Sequence, residues 1–345
     1  MKVFKELLSE IKNPSFFAGA FAVGSFFIVF AFNFDVWWHR AIGRDSFFIP
    51  PHVLVLTSYF ATTLLSLFFY LYYRRNFSAA SRALGHIVLA EILFGFGFIF
   101  DNSWHQLFGQ EKIDSPLIVW GPPHVFMEAA FIYGQLAFIK FLASLKGSLD
   151  ELWRRTLATF SFALIFSDLA GFFMMPVWPL DAYRTLGLYG GAFMSAFLFV
   201  LVLSLGSFLK KELLPFWGVH AVIFFFFFEG VKITKIFSPL VKFPYKPFDI
   251  PIWIHALALL VSVLAFQLLA DFFEEKKFKI FNGFIFGFFY GGIFYPVAKW
   301  WIDYNHFLFE FHLSDAAVMI LLSALGGALA SWLISFCLAE KTYRG

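Results

Sequence analysis

The chain has 345 residues, 60% of them hydrophobic and 14% charged, with a mean hydropathy of +0.76 and a formal net charge of +3. Soluble domains carry about 25% charged residues, so this composition excludes an ordinary water-soluble fold. The small positive charge is gathered at loop ends, which excludes a nucleic-acid surface, and the single cysteine, Cys337, excludes a disulfide framework or a cysteine-based metal cluster.

Apolar runs of about 20 residues, the length that crosses the hydrocarbon core of a bilayer, recur along the sequence. They are apolar all round, unlike the short alternating strands of a barrel. The expectation is therefore an all-α polytopic transmembrane helical bundle in a lipid bilayer. It has about ten helices, near residues 15–34, 52–73, 83–101, 120–142, 156–176, 186–208, 215–236, 250–272, 281–301 and 313–338. Residues 1–14, with Lys2, Lys5 and Lys12, read as a cytoplasmic N-terminal segment before a retained first helix, because no small-residue cleavage site follows.

The first helix ends on Asp35-Val-Trp-Trp-His39, and the second begins on Pro50-Pro51-His52. The third and fourth repeat the pattern, with Asp101-Asn-Ser-Trp-His105 running on to Pro122-Pro123-His124. Residues four apart share one face of a helix, so Asp35 with His39, and Asp101 with His105, can reach one ion together. Proline suits the first turn of a helix, which puts His52 and His124 at helix N-termini near the membrane surface. Two imidazoles and a carboxylate suit copper, zinc or non-haem iron. The competing reading is that these groups bond one another at the interface. The duplication favours metal, because ionisable groups within membrane segments are costly unless used.

Glu128 lies one turn beyond His124 and reads as a further ligand, a proton acceptor or a polar bond to a neighbouring helix. Glu91, mid-helix, is expected to be protonated or paired. Arg44 and Asp45 read as a pair orienting the first motif or as a solvated loop pair. His86 and His220 read as structural, the tryptophans near the motifs as interfacial anchors, and most of the 56 phenylalanines as lipid-facing or interhelical packing. Glycines such as Tyr189-Gly190-Gly191 read as close helix contacts.

Acids recur at the outward ends of the odd-numbered helices, at Asp35, Asp101, Asp168, Glu229 and Asp303, the last with His306 and His312, which suggests repeated helical hairpins. The tails and basic connections hold 17 Lys and Arg against 9 in the motif-side loops, so both termini are expected in the cytoplasm and the motif loops on the periplasmic or outer side. The chain thus divides into residues 1–14, a metal-site half at 15–145 and further transmembrane hairpins at 146–345. No nucleophile triad, phosphate loop or dinucleotide fingerprint is present, and no catalytic residue is assigned.

The stretch from Asp35 to His52 resembles the C subunit of the copper membrane monooxygenases, the particulate methane and ammonia monooxygenases. The resemblance rests on the Asp-x3-His-x12-His spacing of Asp35, His39 and His52, with Trp38, Arg44, Asp45, Phe48 and Pro50 at matching positions. It implies a copper site there. It also implies a second site resembling the family's asparagine and two histidines, through His105 and His124 with Asp101 at the asparagine position and a longer gap between the histidines. The known enzymes of the family need two partner subunits, one with a soluble copper-binding domain that nothing here encodes. The resemblance does not by itself imply alkane or ammonia oxidation, and the leading functional expectation is a contribution to O2-dependent oxidation of a small substrate with other membrane subunits. The family's C subunit is shorter, and about the last 180 residues here have no counterpart in it. The alternatives are a non-enzymatic metal-binding subunit, for copper delivery, sensing or support of a respiratory complex, and a transporter.

Overall fold

The computed structural model describes residues 13–41, 48–76, 79–109, 121–173, 189–209, 252–272, 276–304 and 312–342; many side chains within these helices, that of His39 among them, lie outside the described set. The described residues form nine α-helices and no strand: α1 Pro14–Ala41, α2 Pro50–Tyr73, α3 Ala79–Phe108, α4 Pro122–Ser144, α5 Glu151–Phe173, α6 Gly191–Leu209, α7 Ile252–Phe272, α8 Lys276–Tyr304 and α9 Leu313–Thr342. The helix expected over 215–236 lies outside the described residues, as do residues 1–12 and the pair Arg44 and Asp45.

Among the described residues, six stretches are long and apolar enough to cross a membrane: Pro14–Phe32, Pro50–Tyr73, Ala79–Phe108, Pro122–Ser144, Ile280–Val297 and Leu313–Ile334. Their outer faces carry exposed Phe60, Leu64, Ile92, Phe96, Ile99 and Leu321. So much apolar surface in contact with water would be unstable, and lipid is its natural solvent. This is an integral membrane protein built from helices.

The chain forms two compact units that divide after Asp168. In the first, α1 packs on α2, α2 on α3 and α3 on α4. Its core is aromatic: Phe17 of α1 packs at a tilt against Phe69 of α2 with ring centres 4.8 Å apart and meets Phe141 of α4 edge-on at 5.1 Å, while Phe21 lies 4.7 Å from Phe138. A buried polar bond crosses the same layer, from Gln135 Nε2 to Ser25 Oγ at 2.8 Å. The phenylalanines thus serve both expected roles, as lipid-facing surface and as interhelical packing. Helix α5 starts on an Asp150 cap, whose carboxylate accepts the Trp153 N–H at 2.9 Å. Beside it the exposed Glu151 carboxylate is held below the usual carboxylate range by hydrogen bonds from Arg154 and Arg155.

In the second unit α9 packs on α8 and α6, and α7 on α8. Gly283, Gly287 and Gly291 form a small-residue stripe along α8, and a Cβ at Gly287 would strike the backbone of Ser323 on α9. Without a hydrophobic drive between helices in lipid, such close backbone approach supplies the packing attraction. At the start of α9, Asp315 accepts the His312 N–H at 2.9 Å and the Tyr189 hydroxyl at 2.7 Å.

Candidate metal centre

Both motif helices run past the apolar stretch that marks them in the sequence: α1 continues through Asp35 to Ala41 and α3 through Asp101 to Phe108. Each Asp-x3-His pair therefore stands on regular helix, one turn apart on one face. Each returning helix opens with two prolines, whose fixed φ suits the first turn and whose missing N–H groups would have had no partner there. Ile49 and Gly121 precede them in extended form, with ψ of 156° and 142°, and their carbonyls accept the N–H groups of Val53 and Val125 at 3.0 Å each. His52 and His124 are thus each the third residue of a helix.

In the second hairpin all three candidate residues come together. Asp101 Oδ1 lies 3.3 Å from His105 Nε2 and 3.1 Å from His124 Nε2, and the three ligand atoms lie within 4.8 Å of one another. The Asp101 oxygen is buried between the two imidazole nitrogens. The side chains themselves keep 20–23% of their surface exposed, which leaves the group reachable from outside.

Oxygen–nitrogen separations of this size are those of ligands around a common ion with bonds of about 2.0–2.1 Å. The donor set and its spacing fit a metal ion held by Asp101, His105 and His124.

A further contact orients His105. Its Nδ1 lies 3.4 Å from the carbonyl oxygen of Gly109, and since a carbonyl only accepts, the contact favours the tautomer with the proton on Nδ1 and the lone pair on Nε2, facing Asp101. Gly109 can present that carbonyl because it ends α3 at φ +80°, the left-handed cap, with its N–H bonded to the His105 carbonyl at 3.0 Å. Sequence reasoning passed over this glycine, although the signal is there: Gly43 stands at the same offset from His39 as Gly109 from His105.

In the first hairpin Asp35 Oδ1 lies 3.0 Å from His52 Nε2, with 25% and 28% of the two side chains exposed. The third residue of that set, His39, is on α1, but its side chain is outside the described residues. The hairpins also share an aromatic flank. Phe34 meets Trp38 edge-on at 5.9 Å and 86°, and Phe100 meets Trp104 at 6.3 Å and 89°. Trp38 and Trp104 therefore each rest on the phenylalanine one turn earlier in the same helix.

Glu128, one turn along α4 from His124, interacts directly with Asp168 of α5, and each keeps a buried oxygen, Oε2 and Oδ2, without a hydrogen-bond partner. Two buried carboxyls repel when both are charged, so a proton or cation belongs between them. The sequence placed Asp168 in a repeat of outward acids without revealing this partner. His86 Nδ1 lies 2.6 Å from the Tyr133 hydroxyl, a link between α3 and α4 in keeping with a structural role. His220, Glu229, His306 and the Asp303 side chain lie outside the described residues.

No protein-family model matches the chain, and no curated protein or solved structure matches it either. Fold and geometry together define a class: an integral membrane protein of long apolar helices with a two-histidine, one-carboxylate cluster at the mouth of a helical hairpin.

Proposed function

We propose that the chain is a copper-binding membrane protein of the copper membrane monooxygenase type, contributing to O2-dependent oxidation of a small apolar substrate. The observation that carries this reading is the convergence of Asp101, His105 and His124 on one point, seen beside the spacing of Asp35, His39 and His52 that resembles the monooxygenase C subunit. Asp35, His39 and His52 hold the first metal and Asp101, His105 and His124 the second. Copper, when bound, supplies the one-electron chemistry that no side chain here can.

The chain's own residues position and shelter it: the carboxylate sets the charge, the Gly109 carbonyl orients His105, and the phenylalanine-rich helices give an apolar substrate a route through the bundle. About ten helices in repeated hairpins, both termini in the cytoplasm and the motif loops outside complete the arrangement. Electrons and a soluble copper domain come from partner subunits.

The second reading is a subunit that holds copper, zinc or iron without turnover, for delivery, sensing or support of a respiratory assembly. It is favoured by the exposure of all three ligands, which lets an ion enter and leave. Metal analysis with EPR on protein in lipid tests the shared core of both readings. The His39→Ala and His105→Ala variants are each expected to lose bound metal while staying folded. Full retention of copper in both contradicts the proposal, and redox-silent metal in the wild type moves the assignment to the second reading.

A further inference from the structure

Glu91 sits in α3 about 15 Å along the helix axis from Asp101, half the thickness of a hydrocarbon core. It is 8% exposed, and no ion pair neutralises it among the described residues. What surrounds it is a set of hydroxyls from α2. Thr63 Oγ1 lies 3.0 Å and Thr62 Oγ1 3.4 Å from Glu91 Oε2. Gly95, one turn on from Glu91, leaves the space that the Tyr59 hydroxyl fills.

The hydrogen count of this cluster is informative. Thr62 has one hydroxyl proton and three acceptors around it: the carbonyls of Tyr59 at 2.9 Å and Ser58 at 3.1 Å, and Glu91 Oε2 at 3.4 Å. The nearer carbonyls take that proton, which turns a Thr62 lone pair toward the Glu91 oxygen. Two lone pairs facing each other in a buried setting need a proton between them. With one on Glu91 the run is complete, Thr63 donating to Glu91, Glu91 to Thr62 and Thr62 to the Tyr59 carbonyl, each hydroxyl donating once. A metal ion is a poor fit, because hard cations take about six oxygens, more than the Glu91 carboxyl and the Thr62 and Thr63 hydroxyls supply.

We propose that Glu91, with Thr62, Thr63 and Tyr59, forms a proton-binding site in the middle of the membrane, separate from the metal centre and independent of what that centre binds. Tyr59 is the titratable group facing it from α2. The neighbouring helices approach through small residues, Gly134 of α4 against Ala90 and Gly24 of α1 against Thr62. A proton held this deep is what proton-linked movement or proton delivery across the bundle requires.

Infrared spectroscopy of the full chain in lipid vesicles at neutral pH tests the site. The carbonyl stretch of a protonated carboxylic acid is expected in the wild type, lost from the Glu91→Gln difference spectrum and shifted in Thr62→Val, which removes the acceptor of its proton. An identical spectrum in wild type and Glu91→Gln overturns the proposal. Replacing choline by sodium at fixed pH is expected to leave the band unchanged; its loss makes this a sodium site and also overturns the proposal. A hydrophobic carbodiimide gives a check that needs no variant, with an adduct on Glu91 expected in the peptide map and its absence counting against the site.

Discussion

The hairpins α1–α2 and α3–α4 begin from nearly the same residues, Phe34-Asp35-x2-Trp38-His39-x3-Gly43 and Phe100-Asp101-x2-Trp104-His105-x3-Gly109, and both return on Pro-Pro-His. They differ in what joins the helices, residues 42–49 in one and the longer 109–121 in the other. Yet the returning histidine meets its aspartate at 3.0 Å in the first and 3.1 Å in the second. The loop therefore does not set the site. Packing of the paired helices brings acid and imidazole together, and the two prolines fix which residue of the returning helix arrives there. Closing a longer loop costs little, about 0.6 kcal/mol per doubling, so an insertion here leaves the geometry intact. The longer histidine spacing of the second hairpin is thus no obstacle to a shared design.

The comparison can be broken most forcefully at the acids. Asp101→Asn removes the charge that both imidazoles of the second hairpin face, and the affinity of that site is expected to fall by more than the roughly 10–100-fold that outer-shell changes cost. Asp35→Asn is expected to leave the second site unchanged. Competition against a chromophoric chelator measures both, and equal loss at both sites from either variant would mean that the hairpins build one centre.

A smaller effect is expected at the caps. Gly109→Ala forces a side chain into φ +80°, costing about 1–2 kcal/mol, and moves the carbonyl that orients His105, for a loss of about 10–100-fold in metal affinity. Gly43→Ala should weaken the first site to a similar degree if the hairpins share the cap, and a silent Gly43→Ala would restrict it to the second. The smallest effect is expected where the hairpins are tied together. Ser25→Ala removes the bond from Gln135 that joins α1 to α4, at a cost of about 0.6 kcal/mol read as a small shift in the denaturation midpoint, with metal content unchanged.

Much of this arrangement was legible in the residues. The all-helical architecture follows from apolar runs too long and too uniform for strands, and the position of His52 and His124 follows from the prolines before them. The helix ends were less legible. Hydropathy falls at Asp35 and Asp101, whereas the helices go on to Ala41 and Phe108. A polar turn is still helix, and in α3 it is Gly109, not Asp101, that ends it. The pairings of Glu128 with Asp168 and of Glu91 with Thr62 and Thr63 were not legible at all, since each depends on which helix faces which. Close helix contact was expected at Gly190, where a Cβ would meet nothing within 4 Å, and is found instead along Gly283, Gly287 and Gly291, because only the facing helix decides which glycine is used.

X-ray absorption at the copper edge tests the metal centre most directly, measured on copper-loaded Asp35→Asn protein in lipid so that the second hairpin alone reports. Two imidazole ligands per copper are expected, falling to one in the added His124→Ala variant. Copper that is absent, or whose imidazole count does not change when His124 is removed, would contradict the assignment of Asp101, His105 and His124 as a metal site.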